Sequence, residues 1–502
     1  MPSPSLTIRT ALIVSLFATS ASAQLSGREQ SLKLAPAFSD HMVLQRDRTI
    51  NVWGKTDPYA EVTVRLGQVT NTRSAQVNGH FHVNLPKQAA TAVGQALTVH
   101  SRANDRTQTV TIDDVLIGDV WLCTGQSNMR WRVHQAANAN DLLVHADTPN
   151  LRLLDMEGTL YPGPKRYEPD FLKQLTAENY YTTTGWRRAS RHSAKTFSAV
   201  AFMFGQRLAR DTDVPIGVIH NAIGGAPMAA FMSSTAKATP AVVDEAMRNW
   251  WQGDSYPDWC RARVRQNLAA WFEEPTGKQP HHPFEPYFLF NAGIAPLRHQ
   301  PIRGVVWYQG ESDATDIPGD RPRDANLNYA VFTALIAGFR DNWRDPELPF
   351  YFAQLPGLNR DWPTFREVQA WVASQDKFAD MAVTIDVGHP TDVHPRQKAP
   401  VGDRLARLAL ANEYGTLVDS SGPRFESLEL DGRRAIVHLR HARGLRTKDN
   451  QPVREFSMAG ADRIFHPALA AIVGSAVIVT CAQVEVPIAV RYAFRSSPNT
   501  NL

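Results

Sequence analysis

The chain has 502 residues, too many for one ordinary hydrophobic core, so two or three domains are expected. With 43% hydrophobic and 20% charged residues it has the make-up of a globular protein. A formal net charge of only +4, without a long basic run or a basic helix interleaved with aromatics, argues against a nucleic-acid partner.

The first residues have the pattern of a signal peptide. Arg9 supplies a positive start, residues 11–18 (ALIVSLFA) form a short apolar run, and Ala21-Ser22-Ala23 gives a small-x-small cleavage site before Gln24. A buried N-terminal helix is the competing reading, but the flanks fit a leader. We therefore expect 1–23 to be removed on export to a periplasm or the cell exterior. The apolar run is too short to span a bilayer, and no later segment offers about 18 apolar residues in a row, so no membrane partner is expected. Three widely spaced cysteines, Cys123, Cys260 and Cys481, make neither a disulfide framework nor a zinc site; at most one pair is possible.

Residues 33–112 show short alternating runs at 49–53, 61–66, 80–85 and 95–100, separated by turn signals such as Asp57-Pro58 and Asn78-Gly79. This predicts a small N-terminal β domain of sandwich type. The pattern changes over 113–418. Mostly apolar runs at 115–123, 215–222, 302–309, 349–354 and 381–387 read as buried strands. Helical spacing appears at 195–210, 329–343 and 401–414 between and after them. Alternating strands and helices predict a parallel sheet covered on both faces, an α/β core. Two stretches, 130–184 and 232–285, break this rhythm; both are rich in Pro, Trp, Tyr and charge, and both are expected to be insertions over one rim of the sheet. From 419 to 502 short β runs return at 435–439, 476–480 and 488–494, predicting a C-terminal β domain.

In an open parallel sheet, active groups collect at the carboxyl ends of the strands. The first predicted core strand is followed by Thr124-Gly125-Gln126-Ser127-Asn128-Met129. A serine in a tight turn after a strand presents its hydroxyl to the cleft and its N–H to a developing oxyanion. An N-cap serine is the equal alternative. After the second strand comes Ile223-Gly224-Gly225-Ala226, which suits either an oxyanion-binding loop or a plain turn. The third is followed by Gln309-Gly310-Glu311-Ser312-Asp313, with a side-chain donor at Gln309 and two carboxylates that also suit a helix start. The last is followed by His389-Pro390-Thr391-Asp392-Val393-His394-Pro395. A serine needs a base, and the base needs an acid to fix its tautomer. A lone histidine is more often structural; four such signals at the ends of strands of one predicted sheet change that balance. His80 with His82, and His281 with His282, lack a convincing third ligand, so no metal is expected.

These residues resemble the sialate O-acetylesterase family of the SGNH hydrolases. The likeness is carried by 38–46 (FSDHMVLQR), 118–129 (GDVWLCTGQSNM), 306–313 (VWYQGESD), and 392–395 (DVHP) with 400–405 (PVGDRL), and runs from about residue 34 to 501. It implies a three-layer, flavodoxin-like SGNH-type core without metal or organic cofactor. It implies Ser127 as nucleophile and His394 as base. The oxyanion hole then lies at the N–H groups of Ser127 and Gly225 (or Gly224), with a side-chain donor at Gln309, where the wider superfamily has asparagine. For the acid, Asp392 is expected, two residues before the histidine where the superfamily has three, with Glu311 as the rival. The implied activity is removal of O-acetyl groups from sugars through an acetyl-enzyme. Sialic acid carries a carboxylate that would suit Arg130, Arg132 or Arg321. Trp131, Trp186, Trp250, Trp251, Trp259 and Trp271 would equally suit an acetylated plant polysaccharide such as xylan or xyloglucan. A carbohydrate-binding relic without activity is the remaining alternative.

Overall fold

The computed structural model describes residues 31–159, 163–236, 239–248, 250–275, 279–314 and 323–502; the expected leader and Arg321 lie outside the described residues. One strand, Arg106–Gly125, runs through two regions. Its first half alternates exposed with more buried residues and pairs antiparallel with Thr91–Ala103. Its second half, VLIGDVWLC, is apolar nearly throughout and buried on both faces. The change of pattern follows the change of surroundings, from a sheet with a solvated face to one covered on both.

The core path runs Tyr181–Ala189, Thr148–Gly158, Ile216–His220, Arg106–Gly125, Gly304–Tyr308, Phe350–Ala353, Ala379–Ala382. All neighbours are parallel except the first pair, which is antiparallel. Through Val43–Gln45, Thr91–Ala103, Glu61–Leu66 and Val69–Ser74 the sheet continues into the N-terminal region, making one mixed sheet of 11 strands. Lys33–Leu34, Ile50–Lys55 and His80–Leu85 form a separate three-stranded sheet there.

Successive residues of a strand point to opposite faces. In Gly304–Tyr308, Val305 and Trp307 join one apolar cluster with Phe332 and Phe339 of the helix Ala325–Trp343. Val306 and Tyr308 join the other, with Phe204 of Ala199–Asp211 and Leu405 of Ala399–Glu413. Helices therefore pack on both faces. The helix Pro363–Gln375, which the spacing did not single out, covers the face shared with Ala325–Trp343.

The stretch 130–184 departs from its expected role as an insertion. Thr148–Gly158 lies within it and Tyr181–Ala189 begins at its end, and both are strands of the core sheet. Their polar residues, among them Arg152, Asp155 and Glu157, obscured the strand pattern; Arg152 and Asp155 are buried in charged pairs. The stretch 232–285 carries the short helices Ala241–Met247, Asp258–Asn267 and Ala269–Glu273. The last core strand is Ala379–Ala382, and Ile385–Val387 is already a 3₁₀ turn.

At the C-terminal end a four-stranded and a three-stranded sheet share their own small core around Val437, Met458 and Val479. The segment is tied to the α/β core by Arg424 on Asp380 (2.7 Å) and by the Leu358 N–H and Arg366 guanidinium donating to the Ser496 carbonyl (both 3.1 Å).

Candidate active site

The carboxyl ends of three neighbouring strands are laced together by main-chain bonds. The Gln126 N–H donates to the Tyr308 carbonyl (3.0 Å), and the Ile223 N–H donates to the Gly125 carbonyl (3.0 Å). Gly125 has a φ of +135°, and a Cβ there would fall 2.2 Å from the Tyr308 oxygen; only glycine permits this approach. The chain then turns into the short helix Ser127–Arg130. Gln126 takes the cap position and Ser127 is the first helical residue, so the N-cap reading of Ser127 does not apply.

Ser127 and His394 line one pocket. This open cavity of about 180 Å³ is bounded by Ser127, Arg130, Trp131, Gln135, Gly224 and His394. The Trp131 indole stacks on the His394 imidazole, with centroids 5.1 Å apart. Among the described residues, the main-chain N–H groups of Ser127, Gly224 and Gly225 have no hydrogen-bond partner. A larger cleft of about 860 Å³, lined by Trp53, His82, Tyr181 and His299 among others, contains none of the candidate catalytic residues.

Gly225 adopts a left-handed φ of +75°, and a Cβ on it would lie 2.6 Å from Trp259 and 2.9 Å from Phe284. Its carbonyl accepts a bond from the Ser312 hydroxyl (3.0 Å). Gln309 is placed differently from expectation. Its side-chain amide donates to the Ala226 carbonyl (3.1 Å) and to Asp313 (2.5 Å), beneath the glycine loop. Both N–H groups are thus committed to bracing that loop rather than presented to the pocket. Asp313, fully buried, also accepts from the Met228 N–H (2.8 Å) and from Arg323 (2.6 Å). Burial holds its carboxyl above the ordinary range, against the pull of Arg323.

The two candidate acids differ sharply. Asp392 is exposed, and its Oδ1 accepts the main-chain N–H of His394 (2.8 Å). Among the described residues this is the only hydrogen bond of that carboxylate, so the expected contact with the imidazole is not made; two residues of separation close a local turn instead. Glu311 is buried, and its Oε1 accepts from the Asn128 amide. The same amide donates to the Val393 carbonyl (2.9 Å), the residue before His394. The acceptor end of Asn128 receives the ammonium of Lys398, whose Nζ lies 5.6 Å from the Trp131 ring and 5.7 Å from the Tyr308 ring. Burial lowers Lys398 to about 7, opposed by the charges of Glu311 and Asp392.

Asn128 and Lys398 escaped the sequence reading. Asn128 is adjacent to the serine, which was a usable signal; Lys398 sits in a polar run, RQK, where a lysine ordinarily faces water. Of the candidate arginines, Arg130 borders the pocket, whereas Arg132 is buried and paired with Asp155 (2.8 Å) and Glu157. Asp155 also binds His220 (2.7 Å). Of the tryptophans singled out, Trp131 lines the pocket; Trp186 and Trp250 are buried and Trp259 packs on Phe284. The three cysteines are buried free thiols.

Residues 287–411 match the family model described as carbohydrate esterase, sialic acid-specific acetylesterase. The sialate O-acetylesterase of Mus musculus is 30% identical over 452 residues, spanning 81% of this chain and 78% of that protein. That of Rattus norvegicus is 27% identical over 461 residues, spanning 84% and 81%. Among solved structures, a carbohydrate acetylesterase from Xanthomonas citri superposes with a TM-score of 0.73 at 29% identity, covering 93% of this chain and 95% of its own.

Proposed function

This chain belongs to the sialate O-acetylesterase family and is a carbohydrate acetylesterase, and on that premise we propose that it releases acetate from O-acetylated sialic acid with Ser127 as nucleophile and His394 as base. The observation that carries the reading is the single open pocket bordered by Ser127, His394 and Gly224.

In this mechanism His394 takes the Ser127 proton as Oγ attacks the acetyl carbonyl. The negative charge develops on the carbonyl oxygen, where the N–H groups of Ser127, Gly224 and Gly225 stand without other partners among the described residues. One well-placed donor of this kind is worth about 3 kcal/mol. His394 then gives its proton to the leaving sugar oxygen, and water attacks the acetyl-enzyme by the reverse route. We assign the acid to Glu311 rather than Asp392, because Glu311 is buried and shares Asn128 with the main chain beside His394. Gln309 acts indirectly, by holding Ala226 and Asp313 under the glycine loop. The core is read as SGNH-type on the order and placement of these loops. Export follows from the leader pattern at 1–23.

The test compares acetate release from O-acetylated sialic acid and from acetylated xylan, together with fluorophosphonate labelling of the wild type and of Ser127→Ala. We expect preference for the sialic acid and labelling that depends on Ser127. Equal labelling of Ser127→Ala would remove the serine from the mechanism; a preference for xylan would replace the substrate and leave the chemistry standing.

A further inference from the structure

We propose that Lys398 is a positioning residue: its ammonium fixes the amide of Asn128 in the one orientation that lets this side chain hold both Glu311 and the turn carrying His394 beside Ser127. The proposal rests on the reading of Ser127 and His394 as nucleophile and base.

An asparagine amide has an acceptor end and a donor end of nearly the same shape. At Asn128 the two ends face opposite demands. In its ammonium form Lys398 offers only N–H donors, so it selects the oxygen. Glu311 Oε1 and the Val393 carbonyl offer only lone pairs, so they select the nitrogen and use both of its hydrogens. Turning the amide over would set NH₂ against ammonium and oxygen against carboxylate. All three side chains are buried, where such mismatches are costly: Asn128 is 0% exposed, Lys398 1% and Glu311 1%.

Three loops meet at this one amide. Asn128 belongs to the segment that carries Ser127, Glu311 follows the strand Gly304–Tyr308, and Val393 precedes His394. Lys398 comes from just before the helix Ala399–Glu413, so that helix is coupled to the geometry of the other three. Burying an ammonium in this place is unfavourable unless charge and hydrogen bonds compensate. Here Glu311, Asp392 and the faces of Trp131 and Tyr308 offset part of that cost. A hydrophobic side chain of similar length would fill the space without that cost. The ammonium's hydrogen bond to Asn128 is what such a side chain cannot supply.

The experiment is a double-mutant cycle on the full chain: Lys398→Met, Asn128→Ala and both together, with kcat and KM for p-nitrophenyl acetate measured from about pH 5 to about pH 9. Removing an outer-shell partner of a metal ligand typically costs about 10- to 100-fold in activity, and the same scale is taken for a side chain that holds catalytic groups through another. We expect a loss of that size in kcat for each single variant, KM nearly unchanged, and a double variant no worse than Asn128→Ala. Among the described residues, the charged and titratable groups facing Lys398 are Glu311, Asp392 and the Tyr308 ring, with His394 beyond Val393. Loss of the cation favours the imidazolium, so the acid limb of kcat/KM in Lys398→Met moves to higher pH.

Wild-type kcat/KM with an unmoved acid limb in Lys398→Met overturns the proposal, as do losses that multiply in the double variant. If Lys398→Met does not fold, Lys398→Leu, which likewise lacks any N–H donor and any charge, enters the cycle with the same outcomes. Fluorophosphonate labelling separates the two levels. No labelling of wild-type Ser127 fells the underlying reading; labelling with indifferent Lys398 variants fells this inference alone.

Discussion

The indole of Trp131 lies against the imidazole of His394, with ring centroids 5.1 Å apart and planes inclined by 22°. The two rings form one wall of the pocket that Ser127 opens into. Stacking of this kind restrains the ring that must accept and return a proton. Aromatic contacts are worth about 1 kcal/mol beyond area burial. Trp131→Ala is therefore expected to lower kcat about fivefold or more, and Trp131→Phe to retain most of it; steady-state kinetics on p-nitrophenyl acetate check both.

Glu311 and Asp392 make opposite predictions. Glu311→Gln removes the negative charge proposed to stabilise the imidazolium, and an analogous loss in a serine triad costs on the order of 10⁴ in kcat. Asp392→Asn keeps an oxygen able to accept the His394 N–H, so it should change kcat by less than about threefold. A large loss in Asp392→Asn with a mild one in Glu311→Gln would return the role to Asp392.

Gly225→Ala tests the glycine loop. A left-handed φ costs a non-glycine residue about 1–2 kcal/mol, and the new Cβ would meet Trp259 at 2.6 Å. The expected result is a lower melting temperature together with a fall in kcat, since the loop that carries two proposed donors must shift. A variant that melts earlier at full kcat would show that the loop does not bind the oxyanion.

Of the arginines proposed to meet a substrate carboxylate, Arg130 is the one that borders the pocket among the described residues. Hydrogen bonds to charged groups contribute about 1.5–3 kcal/mol. Arg130→Gln should raise KM for O-acetylated sialic acid about 10- to 100-fold while leaving p-nitrophenyl acetate hydrolysis unchanged. Equal effects on both substrates would assign Arg130 to the shape of the pocket.

Acid stability should depend on His282. Burial, reinforced by Arg263, lowers it to about 3. Its Nδ1 accepts the Phe284 N–H (2.9 Å), so the neutral ring donates from Nε2 to Asn267 (3.0 Å). An unfolded histidine titrates near 6.5. Between about pH 6.5 and about pH 3 the unfolded chain therefore binds the extra proton, and stability falls as pH drops through that window. Urea unfolding at several pH values should show a shallower decline in His282→Gln than in the wild type.

Much of the core was legible because buried parallel strands are written as short apolar runs. The run at 302–309 became Gly304–Tyr308, and that at 349–354 became Phe350–Ala353. Thr148–Gly158 was not legible: it lies toward one side of the sheet and carries Arg152, Asp155 and Glu157, so its pattern lacks the apolar continuity of its neighbours. The pairing of those charges with Arg132, His220 and Asp114 is a tertiary event, invisible to periodicity.

By itself the amino-acid sequence determined which loops are proposed to carry chemistry, because the reactive residue types and their glycines follow directly on the strands that present them. What each group does in its loop was decided only in three dimensions. Asp392 and Glu311 are both carboxylates beside a candidate base, yet one closes a local turn in solvent and the other is buried against Asn128. Gln309 looked like a donor to substrate and became a brace, and Lys398 looked like a surface residue and lies in the interior. The reason is physical: residue type sets what a side chain can donate or accept, while burial and the groups brought from distant strands decide which partner it finds.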